Sequence, residues 1–334
     1  MEISILSRKI LRDLCTDSRI SISDVAKKYN ITWHVARERI RALEEEFGLR
    51  YTVEVNYNEL GLKDLHVIRA KFVRRPKPKD LEKLFKSSRV AQFVAITKGD
   101  FDMIIFALAK DGTEYVVWEM AIEQALAKYG LYAMSSEVNV MHLGFTQITN
   151  DTIETSGIDS VYKKMLEIVN ENSRISIKDI GKAMGMSEAL TRYYFRHLQK
   201  TKIVKRYTAI VTKSPLKVNI AFFGNYTMRT GIENRIVRER QNYFWKQPDE
   251  FPLVNEVPLM WSMSGSDKTF TIANYSNEKE GLRYSVEAHR ENFRIDNPDI
   301  KQAVVEKVIK GYIPTRNVDQ KAVYTTAPWG PVLF

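Results

Sequence analysis

Hydrophobic positions along the first fifty residues follow the period of a helix. Ile5, Leu6, Ile10, Leu11 and Leu14 recur every three or four positions, which predicts an amphipathic helix with one buried stripe. The stretch SISDVAKKYN (residues 21–30) predicts a second helix, capped by Ser21 or Ser23, with Val25 and Ala26 inward. A break at Asn30-Ile31 follows. Thr32 then caps a longer helix with Ala36, Ile40 and Leu43 on its inner side. At RYTVEVNY (residues 50–57) the period drops to two, as in a strand. The same succession returns later in the chain. Ile158, Val161, Met165 and Ile168 mark a helix, SIKDIGKAMG a second, and Ser187 caps a third with Thr191, Phe195 and Leu198 inward. KRYTAIVT (residues 205–212) is again strand-like. Two helices joined by a short turn, behind a supporting helix and ahead of a strand, make a winged helix-turn-helix.

The recurrence is also one of identity. Residues 17–46 and 172–201 share ten of thirty positions, among them the block Ser18-Arg19-Ile20-Ser21-Ile22 against Ser173-Arg174-Ile175-Ser176-Ile177. The remaining matches are Asp24/Asp179, Lys27/Lys182, Arg37/Arg192, Arg41/Arg196 and Leu43/Leu198. A period of 155 residues is too long for a solenoid, so the chain reads as a two-domain unit written twice.

The second part of each unit has another rhythm. Residues 65–75 predict a strand, 79–88 a helix after the break at Pro76 and Pro78, and 90–98 with 102–110 two strands around Gly99-Asp100-Phe101. Residues 113–129 predict a helix and 131–145 a last strand. This order, β-α-β-β-α-β, is the ferredoxin-like pattern. It returns as strand 218–229, helix 231–246, strands 251–264 and 268–276, helix 278–293 and strand 301–313. The fold class is therefore α+β: two winged helix-turn-helix domains (1–55 and 156–213) alternating with two ferredoxin-like domains (56–155 and 214–315). The tail, 316–334, has no period, and its aromatic content suggests docking onto the body or a frayed end.

These residues resemble the Lrp/AsnC family of transcription regulators. Asp17-Ser18-Arg19, Asp24-Val25-Ala26-Lys27, Arg39-Ile40 with Leu43, and the turn Ile96-Thr97-Lys98-Gly99-Asp100-Phe101-Asp102 carry the likeness. A usual member is one such unit, whereas this chain fuses two. In the second, Tyr194 stands where Arg39 aligns, and Gly265-Ser266-Asp267 only loosely matches the glycine turn. The resemblance implies binding to double-stranded DNA, dimerisation through the ferredoxin-like domains, and an amino-acid effector held there. Gly99, Asp100, Asp102, Gly265 and Asp267 are the candidate effector residues; turn formation explains the glycines and acids equally well.

Composition narrows the partners. The chain has 334 residues, 44% hydrophobic and 28% charged, and a single cysteine, Cys15. That excludes a disulfide scaffold and multi-cysteine metal sites within the chain. No apolar run reaches the roughly 18 residues of a membrane span, and the N-terminus reads as an amphipathic helix rather than a signal peptide. A soluble, cytoplasmic protein is expected, as a homo-oligomer because an isolated four-stranded sheet leaves an apolar face to cover. The net charge of +10 divides as +1 over residues 1–55, 0 over 56–155, +7 over 156–213 and +2 over the rest. Most of the excess thus coincides with the second helix-turn-helix, where phosphates would be met.

On the outer side of the two third helices lie Trp33, His34, Arg37 and Arg41, then Ser187, Arg192, Tyr193 and Arg196; Arg50, Lys205 and Arg206 in the following strands add backbone contacts. Because the two faces differ, they are expected to read different half-sites. The five histidines show no metal-ligand spacing, and no phosphate loop or nucleophile elbow occurs, so no metal, cofactor or catalytic residue is expected. The alternative is an enzyme like the siroheme decarboxylases, which resemble the family in fold; His142, His289, Arg229 and Arg290 would then be recruited to a tetrapyrrole pocket.

Overall fold

The computed structural model describes residues 4–138, 148–213, 218–225, 260–264, 268–275, 277–279, 281–283 and 299–312. The chain forms two compact units, Met1–Lys63 with Thr146–Lys213, and Asp64–Phe145 with Ser214–Phe334.

In the first unit, α1 (Ile5–Thr16), α2 (Ile22–Tyr29) and α3 (Trp33–Phe47) lead into β1 (Leu49–Val55). A short helix α6 (Asn150–Glu154), not foreseen in the sequence, precedes α7 (Ser160–Glu171), α8 (Ile177–Met184), α9 (Glu188–Lys200) and β6 (Val204–Val211). Ser21 and Ser176 cap α2 and α8 through the amides of Asp24 and Asp179. Asn30 and Gly185 end those helices in the left-handed conformation, and Thr32 and Ser187 cap the next ones. The turn demands a close approach of helices, met in two ways. The first copy sets buried Ala26 in α2 and buried Ala36 in α3. The second has Gly181, where a Cβ would come within 2.7 Å of Thr191 Oγ1.

Neither copy builds a hairpin wing among the described residues. Instead β1 and β6 pair antiparallel with each other, with Thr52 opposite Thr208. The sequence explains the register: Arg50-Tyr51-Thr52 and Arg206-Tyr207-Thr208 are equivalent, so Thr52 faces its own counterpart across an approximate two-fold axis. Contacts around that axis are exchanged in pairs. Thr208 Oγ1 donates to the Cys15 carbonyl at the end of α1, and Thr52 Oγ1 to that of Asn170 in α7. Ser18 N–H donates to the Tyr207 carbonyl, and Ser173 N–H to that of Tyr51. The Ser18 and Ser173 hydroxyls meet each other, both fully buried. Arg19 donates to the carbonyls of Ser173 and Ile175 and covers the Phe195 and Tyr207 rings. Arg174 donates to the Ser18 carbonyl and covers Tyr51. Across the strands, Arg206 Nε donates to Glu54 at 2.6 Å, with side chains only 11% and 7% exposed.

The second unit begins with β2 (Asp64–Phe72), α4 (Pro78–Phe85), β3 (Ala91–Gly99), β4 (Met103–Ala109), α5 (Gly112–Leu126) and β5 (Leu131–Val138). It continues with β7 (Val218–Asn225), β8 (Met260–Ser264), β9 (Lys268–Tyr275) and β10 (Asp299–Lys310). The expected helix 231–246, nearly all of the helix 278–293, residues 251–259, the turn 265–267 and the tail 316–334 lie outside the described residues. All eight strands form one sheet in the order β5-β2-β4-β3-β10-β7-β9-β8. Alternate residues of β4 face opposite ways. Met103, Ile105 and Ala107 pack with Leu81 and Phe85 of α4 and with Tyr115, Ile122 and Leu126 of α5. On the other face Phe106 meets Phe93 and Phe270, and Phe270 meets Phe223. The sheet face expected to drive pairing between chains is therefore covered within one chain.

The join between the halves is the β3–β10 ladder, and it fixes the turn after β3. Gly99 has φ +149°, and a Cβ there would lie 2.5 Å from the Gln302 carbonyl oxygen and 2.9 Å from Ala303 Cα. Asp100 N–H donates to the Gln302 carbonyl, and its carboxylate accepts from the Gln302 N–H at 2.7 Å. Asp102, 5% exposed, accepts from the Phe72 N–H and from Arg75 Nε, both at 3.0 Å.

Three outcomes follow from these contacts. Arg206→Met strands a buried carboxylate and lowers unfolding free energy by about 3 kcal/mol in urea titrations, while adding Glu54→Leu recovers most of that. Gly99→Ala costs about 2 kcal/mol and selectively lowers hydrogen-exchange protection along β10. Burial pushes the Tyr207 phenol up to about 12, and Tyr51 is raised too, by burial and then by its bond to Glu44. The neutral phenols are thus favoured in the fold. Their stabilisation is complete below the unfolded value near pH 10 and is lost as pH rises through about 12. Melting temperature should fall across that window, and less steeply in Tyr207→Phe.

Candidate nucleic-acid interface

The inner faces of α3 and α9 are spent on the core, through Ala36, Ile40, Leu43 and Phe47 in one and Thr191, Phe195 and Leu198 in the other. Side chains on the opposite faces therefore stand in solvent, and the two sets belong to one compact unit. On α3, Trp33, His34, Arg37 and Arg41 are all exposed. The Arg37 guanidinium lies 5.3 Å from the Trp33 ring centroid, and His34 meets the same ring edge-on. Stacking holds the guanidinium plane while leaving its N–H edge free to donate. Arg41 Nε donates to Glu45 at 2.8 Å, an exposed pair one turn apart that water and salt weaken. Arg39 turns toward Ser4 and Ser7 of α1 instead of outward.

On α9, Arg192, Tyr193 and Arg196 are exposed, Tyr193 by 62%. Arg192 pairs with Glu188 at 2.6 Å. Ser187 spends its hydroxyl oxygen on the Leu190 amide, so it starts the helix and presents its first turn. Where Arg39 stands in the first copy, Tyr194 joins Tyr162 and His197, and the Tyr162 hydroxyl meets His197 Nδ1 at 2.6 Å. The two outer faces thus differ: a stacked Trp–Arg pair with a histidine on one, a tyrosine-rich surface on the other.

The strand residues behave differently. Arg50 and Lys205 are half-buried in the β1–β6 ladder. Arg206 pairs with Glu54 inside it, with its side chain mostly buried. Of the candidate effector residues, Gly99 and Asp100 sit against β10, and Asp102 holds the end of β2 and Arg75. Gly265 and Asp267 lie outside the described residues, as do His142, His289, Arg229 and Arg290. Sequence reasoning missed the axis residues Ser18, Arg19, Thr52 and their counterparts. Their signal was present, since the identity block Ser18–Ile22 and the shared Arg-Tyr-Thr are what the axis uses. No described helix is long and apolar enough to cross a membrane.

A family model described as winged helix-turn-helix DNA-binding matches residues 3–46 and 159–205, both helical trios. An uncharacterised HTH-type transcriptional regulator of Pyrococcus furiosus is 33% identical over 108 residues, 32% of this chain and 72% of that relative. The crystal structure of the siroheme decarboxylase NirDL overlays with TM-score 0.57 at 13% identity, over 95% of this chain and 96% of that one, a likeness of fold. An AsnC family transcriptional regulator from Agrobacterium tumefaciens matches 41% of this chain and 90% of its own, with TM-score 0.35 and 20% identity. With the helix-turn-helix model met twice and a regulator one third identical across most of its length, the chain belongs to the winged helix-turn-helix family of HTH-type transcriptional regulators.

Proposed function

We propose that the protein is a sequence-specific double-stranded DNA-binding transcription regulator of Lrp/AsnC type, in which one chain supplies both halves of a dimer-like reader. The observation that carries this reading is the pair of capped, outward-facing third helices related by the Thr52–Thr208 axis. Each bears two exposed arginines at matching positions, Arg37 and Arg41 on α3 and Arg192 and Arg196 on α9. Arginine forks fit guanine edges and phosphates, and positions near the helix start reach base edges. Trp33, His34 and Tyr193 supply apolar and polar contacts beside them. Arg50 and Lys205, half-buried within the strands, would touch only the DNA backbone.

The four-part organisation, two helix-turn-helix segments alternating with two ferredoxin-like ones, is read as a tandem duplication. It rests on the repeated sequence blocks and on the strand orders β5-β2-β4-β3 and β10-β7-β9-β8, which place equivalent strands alike. An amino-acid effector at this turn would share Asp100 and Asp102 with the contacts they already make to Gln302, Phe72 and Arg75. Unequal outer faces favour an asymmetric operator.

The likeness of fold to a siroheme decarboxylase raises an enzymatic reading, whose candidate residues His142, His289, Arg229 and Arg290 lie outside the described residues. Absorption spectra of the protein titrated with an iron tetrapyrrole separate the two: a saturating shift with product formation overturns the regulator reading.

The main test is binding to genomic DNA fragments by mobility shift across a salt series. Arg192→Ala with Arg196→Ala should weaken binding by at least tenfold, from loss of phosphate and base contacts each worth about 1–3 kcal/mol. Arg37→Ala alone should relax selection in one half-site and leave the other unchanged when bound fragments are sequenced. No binding at low salt sinks the reading.

A further inference from the structure

The neutral net charge of residues 56–155 hides a separation. Residues 71–89 hold eight basic and two acidic side chains, and the rest of that span five basic and eleven acidic. The positive part is the end of β2, the turn after it and helix α4.

Its members divide by what they touch. Lys71 and Arg75 face Asp102, Arg75 also meets Glu306, and Arg89 pairs with Glu114. Arg74, Lys77, Lys79, Lys83 and Lys86 are all exposed, and none makes an ion pair among the described residues. The Arg74 guanidinium donates to the Lys128 carbonyl, which brings a further exposed lysine beside it. The two acids within the strip are taken: Glu82 holds Lys307 at 2.9 Å, and Asp80 accepts from the Tyr129 hydroxyl at 2.9 Å.

Geometry keeps these cations in line. Leu81 and Phe85 of α4 are buried against the sheet, so Lys79, Lys83 and Lys86, at steps of four and three, share the outer face. Lys77 sits between Pro76 and Pro78 with φ −72° and ψ 144°, an extended conformation the prolines hold in place. Three lysines over seven residues span about 10 Å of helix axis at 1.5 Å per residue. A duplex presents one charge per roughly 1.7 Å, or about six phosphates over that length.

We propose that this strip, Arg74 with Lys77, Lys79, Lys83 and Lys86, is a second contact for the DNA backbone, separate from the recognition helices and blind to sequence. The proposal rests on the DNA-binding reading above and extends the footprint beyond the helix-turn-helix unit. The strip and the recognition helices belong to one chain, so a duplex long enough to reach both is bound with the avidity of two linked contacts.

The experiment uses the full chain and two duplexes. One is about 20 base pairs, enough for two half-sites a turn apart; the other is several times longer. The strip variant carries Arg74→Gln, Lys79→Gln, Lys83→Gln and Lys86→Gln, changes that keep helix propensity; its melting temperature serves as the folding control. On the long duplex, the slope of log affinity against log salt should become shallower by about 3 to 4, at 0.9 per phosphate released. Equal slopes for the variant and the natural chain on the long duplex overturn the strip while leaving the DNA reading intact. Failure of the natural chain to bind either duplex overturns both. Loss of binding in Arg192→Ala/Arg196→Ala, alongside a retained but shallower slope in the strip variant, supports both.

Discussion

A lone β-strand cannot leave a row of backbone donors and acceptors unpaired, and the helical trios of this protein each end in one. The solution is pairing of β1 with β6 about Thr52 and Thr208, and much else in the first unit depends on it. Each strand also satisfies the last turn of the other copy's supporting helix, through the Cys15 and Asn170 carbonyls. Neither trio is complete without its counterpart. The Glu54–Arg206 pair and the two arginines lying over tyrosine rings fix the register that backbone bonds alone leave free to slip.

The second unit solves the same problem with the same device. Two four-stranded halves meet edge to edge at β3 and β10, and their phenylalanine faces close on each other. What is a turn in the sequence, Gly99-Asp100-Phe101-Asp102, becomes a weld. Gly99 is there because the β10 backbone passes where a Cβ would be. Asp100 clamps that backbone, and Asp102 holds the end of β2 and Arg75.

Local structure was legible in the sequence wherever period and caps agreed. Helices α2, α3 and α9 start at the caps read from Ser21, Thr32 and Ser187, and residues 64–138 follow the expected order of strands and helices. Pairing between copies was not legible, because a strand's period shows which residues are buried and not which edge it will find. Hence the partner of Arg206, a basic residue in a strand, was hidden: it pairs with Glu54 of the other strand. Likewise an aspartate in a glycine turn looks the same whether it holds a ligand or a neighbouring strand. The outward arginines were legible, since the inner stripe of an amphipathic helix defines its outer one. Averaged charge misled in one place: zero net charge over a hundred residues concealed the lysines of α4.

The covalent link between the halves has a consequence for how the molecule can change. In a homodimer, any substitution on a recognition helix appears twice, so a new preference must suit both half-sites at once. Here Trp33 and Arg37 can vary while Tyr193 and Arg192 stay as they are. Only residues on the axis, such as Ser18 with Ser173 and Thr52 with Thr208, remain bound to vary together. The outer faces of α3 and α9 can therefore change one at a time, while the axis they share stays fixed.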